Sequence, residues 1–91
     1  MNNCERYIAY LALTAGRATA RAQAAAREGS PLRAERWQAF ARDQRRRAYG
    51  LAGEYRRGLV PVLPRDILVP LRAFRRAIIE IDHTIPPLRS F

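Results

Sequence analysis

Two long stretches of this chain repeat apolar or small residues at alternating steps of three and four, and only Gly29 and Ser30 separate them. That combination leaves few folds open. Such a stripe runs down one face of a helix, and so short a link makes the second helix turn back antiparallel on the first. The first stripe is Cys4, Ile8, Leu11, Ala15, Ala18, Ala22 and Ala25; the second is Ala34, Trp37, Ala41, Gln44, Ala48, Leu51 and Tyr55, widened by Phe40 and Ala52. Folding back brings Ile8 and Leu11 to Leu51 and Tyr55. It also sets Trp37 and Phe40 against the alanines near Ala18 and Ala22, large against small, as a packed hairpin needs.

The ends of both stretches carry their own signals. Asn2 is placed to cap the first helix, with Glu5 three residues on in the spacing of a capping box. Gly29 stands where a left-handed residue closes a helix. Ser30 as cap and Pro31 at the first helical position open the second helix, and Gly58 ends it. The spacing predicts helices over 3–28 and 31–57. Gly16, inside the first, costs it about 1 kcal/mol relative to alanine.

From residue 58 the texture changes, because five of the six prolines lie beyond this point. Residues 58–69 form an apolar, proline-rich connector that cannot be a regular helix and has no partner strand. Asp66 is positioned to cap a short turn, and Pro70 to start a third helix over 70–85. Its stripe is Ile67, Leu71, Phe74, Ile78, Ile81 and Ile85, and the helix is expected to lie across the hairpin. Pro86 and Pro87 end it, leaving a tail at 86–91. The expected architecture is one all-α domain, an antiparallel alanine-rich helical hairpin plus a third C-terminal helix, like a three-helix bundle. The core of a 91-residue chain is thin, and such chains often gain stability from a partner.

Charge decides which partners come into question. Seventeen arginines, no lysine and eight acids leave a formal charge of +9. A field this dense attracts nucleic acid, acidic protein surfaces and anionic lipid, and arginine's planar fork suits phosphate and carboxylate alike. Lysine's absence beside sixteen alanines is also what GC-rich codon usage writes, so placement carries more information than number. On the second helix Arg42, Arg45, Arg46, Arg56 and Arg57, with Tyr49 among them, share an arc turned away from the Trp37/Leu51 stripe. From Arg42 onward that arc holds no acid. The opposite flank pairs Asp43 with Arg47 at i,i+4. Arg72, Arg75 and Arg76 lie opposite the isoleucine stripe of the third helix. A second candidate surface is apolar: Leu59, Val60, Val62, Leu63, Leu68 and Val69 in the connector, and Phe91 in the tail. Ile67 belongs to the same apolar run.

The inventory for catalysis is poor. The single histidine, His83, neighbours Glu80 and Asp82 near a helix end, where it interacts with the helix dipole. Ser30 and Ser90 are the only serines, one a cap and one in the tail. No phosphate-binding glycine loop, carboxylate pair or metal-ligand spacing appears, so no cofactor and no metal are expected, and the chain reads as a non-enzyme. One cysteine, Cys4, excludes an internal disulfide and suits a reducing, intracellular compartment. No apolar run reaches the roughly 20 residues that span a membrane. The acid-free stretch from Arg6 to Arg27 reads first as an ordinary alanine-rich helix from a GC-rich bacterium or its phage, and it also has the character of a mitochondrial leader. No helix-turn-helix, zinc-finger or RNP signature is present. The expected function is a small basic accessory subunit docked on other protein subunits of a phage particle, ribonucleoprotein or respiratory-type complex. The alternatives are a sequence-nonspecific binder of the nucleic-acid phosphate backbone, or a phage-encoded inhibitor of a host nucleic-acid machine.

Overall fold

The computed structural model of the chain describes residues 1–86, and among them the only regular elements are helices, with no strand. Helix α1 spans Asn3–Arg27, α2 Pro31–Arg56 and α3 Val69–Ala77, and α3 continues into a π-helical segment, Ile78–His83. α1 and α2 form the antiparallel hairpin. The N-terminal capping box is complete: the Glu5 amide donates to Asn2 Oδ1 at 2.8 Å, and the Asn2 amide to Glu5 Oε1 at 3.1 Å. Gly29 and Gly58 close α1 and α2 at φ of 79° and 80°, a region that only glycine enters cheaply. Ser30 departs from expectation. It marks the boundary before Pro31, but its side chain accepts no hydrogen bond from α2 and is buried in the turn.

The third helix runs along the hairpin rather than across it. Val69 packs near Tyr7, Leu11 and Ala48 at the open end, while the Ile85 carbonyl accepts from Arg33 Nε at 2.7 Å beside the interhelical turn. α3 is therefore parallel to α1, and the bundle reads up, down, up. Running lengthwise buries Pro70, Phe74 and Ala77 of α3 and Ile81 of the π segment alike.

Two clusters divide the interior. Toward the turn, Trp37, Phe74 and Ile81 close on Ala18, Ala22, Ala41 and Ala77, with the Trp37 and Phe74 ring centroids 5.5 Å apart. Toward the open end, Tyr7, Leu11 and Ala48 are buried with Ile8, Leu51, Leu63, Ile67 and Val69 half-buried around them. The face of α1 that is buried is wider than its seven-residue stripe, because it meets α3 as well as α2. Tyr7 and Thr14 are buried beside the stripe. Thr14 tolerates this because its hydroxyl is bonded back to the carbonyls of Tyr10 and Leu11 at 3.0 and 3.1 Å. At the mouth of the hairpin Asn2 Nδ2 donates to the Tyr55 hydroxyl at 3.0 Å, joining the start of α1 to the end of α2.

Candidate partner-binding surfaces

The arc on α2 is exposed along its length. Arg42, Arg45, Arg46, Arg56 and Arg57 all face solvent, and the Tyr49 ring among them is 73% exposed. Arg45 marks the edge next to α1, where it donates to Thr19 Oγ1 at 3.0 Å. The other flank of α2 carries the Asp43–Arg47 pair at 3.2 Å. It also carries Phe40, whose ring lies 6.1 Å from that of Phe74. α3 thus occupies the flank opposite the arc.

For that reason the arginines of α3 do not extend the arc. They go to three separate places. Arg72 is held by Asp66, its Nε 2.6 Å from Oδ2. Arg76 lines a cleft of about 510 Å³ between α2 and α3, where Asp43 and Glu80 offset Arg36 and Arg47. Arg75 faces α1 across a different groove, described below.

The apolar connector is divided. Leu63, Ile67 and Val69 turn inward and close the open-end cluster, while Leu68 stays at the margin, 37% exposed. Leu59, Val60 and Val62 project outward, with Val60 and Val62 at 91% and 97% exposure. Asp66 fixes the return of the chain: its carboxylate accepts the Leu68 amide at 3.0 Å and the Arg72 guanidinium on its other oxygen. The backbone hydrogen bond from Leu68, then that from Arg72, hold the Asp66 carboxyl below its ordinary value. Phe91 lies outside the described residues.

No residue spacing marks what the π segment does. A π turn advances each residue by less than the roughly 100° of an α turn, which carries Asp82 round toward the core. There one carboxylate oxygen accepts Trp37 Nε1 at 2.7 Å and the other pairs with Arg21. Arg21 is held with its guanidinium carbon 5.5 Å from the Trp37 ring centroid and 5.7 Å from that of Phe74. One carboxylate thus ties all three helices together. His83, next along, is exposed.

Arg21 also borders a groove of about 560 Å³ between α1 and α3, whose floor is Ala20, Ala24, Phe74 and Ile78 and whose rims carry Arg17 and Arg75. Neither rim arginine takes part in an ion pair among the described residues. Also among the described residues, no cluster of three His, Cys, Asp or Glu side chains is placed to hold a metal ion, and no helix is long and apolar enough to cross a membrane. Comparison of the chain with family models, curated proteins and solved structures finds no match.

Proposed function

We propose that the chain is a non-enzymatic, basic helical subunit that docks into a larger macromolecular assembly, with its outward connector as the apolar anchor and the α2 arc as the electrostatic clamp. The observation that carries this reading is the exposure of Val60 and Val62 at the end of the molecule where Arg56 and Arg57 complete the arc. Covering a valine or leucine side chain contributes about 1.5–3 kcal/mol, so Leu59, Val60 and Val62 together supply several kcal/mol. Association costs about 4–15 kcal/mol. The tip alone supplies an amount comparable to that cost and so leaves little net affinity, and the arginine face beside it is the surface that can add the rest. Phage particles, ribonucleoproteins and respiratory-type complexes all accommodate subunits of this build.

The test is recovery of the tagged chain with its neighbours from its native source. Val60→Asp with Val62→Asp should abolish that recovery, and replacing Arg42, Arg45 and Arg46 with glutamine should weaken it in a salt-dependent way. Recovery of the same neighbours at the same yield by both variants would sink the proposal.

A second reading, nonspecific nucleic-acid binding, is favoured by one observation: the exposed Tyr49 ring lies within an acid-free row of arginines, an arrangement on which bases stack. It predicts an affinity for arbitrary single strand that falls steeply with salt, with a slope flattened by the same three glutamines and indifferent to the two valines.

A further inference from the structure

We propose that the groove between α1 and α3 is a separate docking site, whose occupant is an amphipathic helix of another protein that inserts aliphatic side chains and carries carboxylates along both edges. The site rests on residues apart from the connector and the α2 arc. Its floor is apolar: Ala20 and Ala24 from α1, Phe74 and Ile78 from α3. Ala20 and Ala24 are small, so an incoming backbone can approach α1 closely. The groove is shallow and open to solvent, so a partner helix would lie along it rather than be enclosed by it. An aliphatic ridge at helical spacing is what fills such a groove.

The charges select the partner. Arg17 on one rim and Arg75 on the other are exposed, and no acid lines the groove. Arg21, beneath them, is already neutralised by Asp82 and fixed against Trp37 and Phe74, so it braces the floor and leaves the rim arginines to meet incoming charge. The neighbouring cleft between α2 and α3 differs on this point, since Asp43 and Glu80 line it beside its arginines. Two guanidinium forks flanking an apolar floor match carboxylates flanking an aliphatic ridge. Phosphate backbone fits less well, because it has no apolar ridge to set on the alanine floor.

The probe is a synthetic helical peptide of 18 residues with leucines along one face and glutamates on both flanks, titrated into the full 15N-labelled chain. Shifts should concentrate at Arg17, Ala20, Ala24, Arg75 and Ile78. Trp37 emission should change with the same midpoint, because Trp37 shares the Phe74 and Arg21 side chains with the groove. Arg17→Glu with Arg75→Glu should weaken binding at least tenfold and confer binding to the same peptide with lysine flanks, a gain that misfolding cannot produce. Arg42→Glu with Arg46→Glu should leave the affinity within about twofold. The proposal is overturned if the peptide maps to the α2 arc, if it shows no saturable binding, if the charge-swapped pair gains nothing, or if oligothymidylate or anionic vesicles displace it from the groove. Loss of partner recovery in the Val60/Val62 variant with peptide binding intact separates this site from the anchor proposed above.

Discussion

At the turn end of the hairpin, Trp37, Phe74 and Ile81 fold inward over alanines of α1 and α2, and a single carboxylate, Asp82, bonds to side chains of both hairpin helices. At the open end, Tyr7 and Leu11 are covered by a connector that sends Leu63 inward and leaves Leu59, Val60 and Val62 in solvent. The two ends are built from similar residue types in one short chain. Only the turn end uses its large side chains chiefly on itself. The difference teaches where stability resides: the turn end holds the fold, and the open end has apolar surface to spare.

The largest effect should come from breaking the turn end. Trp37 is fully buried, and replacing it with alanine should cost about 3–5 kcal/mol. A domain of this size has about 5–15 kcal/mol in all, so W37A should lose a large share of its stability, seen as a fall in the urea midpoint followed in the far-UV. A loss under 1 kcal/mol would mean that the turn-end cluster does not carry the fold. Next comes Asp82→Ala, which leaves the Trp37 indole N–H and the Arg21 guanidinium without their partner. An unsatisfied buried polar group costs about 1–3 kcal/mol, and the shift in melting temperature should be mirrored by red-shifted tryptophan emission. If D82A melts like wild type, α3 is held by apolar contact alone.

The part of this contrast that was legible in the sequence is the part set by local periodicity. The two stripes, the capping box and the glycine stops fix α1, α2 and their antiparallel pairing, because each depends on residues within a few positions of one another. The lock at Asp82 was not legible. Its partners, Arg21 and Trp37, lie 61 and 45 residues away, and its inward aim depends on a π turn that no spacing rule marks. The course of α3 was missed for a related reason. An isoleucine stripe says that a helix packs on something, but only the connector's inward residues, Leu63 and Ile67, decide that it returns lengthwise. Once it does, Arg72, Arg75 and Arg76 are dealt to three different neighbours, which an isolated helical wheel cannot show.

Smaller effects sharpen the comparison. Within α2, Gly50 and Gly53 lie toward the open end, and a Cβ added at Gly50 meets nothing within 4 Å. Gly50→Ala should therefore stabilise by about 0.5–1 kcal/mol, seen as slower amide exchange over the C-terminal half of α2 with no change near Trp37. Loss of stability there would show that the glycine is needed by its surroundings. Acid should loosen the connector in a definite window. Because the folded Asp66 carboxyl lies below its ordinary value of 3.8, the stability it contributes is fully present above that value. That contribution is lost as pH falls through the lowered folded value. Asp66→Asn should remove this acid limb from the Leu68 amide shift while leaving the turn-end resonances alone.

The smallest change in stability should accompany the largest change in association. Val60 and Val62 touch so little of their own chain that Val60→Ser with Val62→Ser should move the urea midpoint by no more than the equivalent of about 0.5 kcal/mol. On the proposed reading these two valines, which add little to the fold of their own chain, are covered by the partner. The double serine variant should consequently melt like wild type, stay monomeric to higher concentration, and fail to co-purify with its neighbours. If it proves markedly less stable instead, the connector is a strut of the open end rather than an anchor, and the contrast between the two ends disappears.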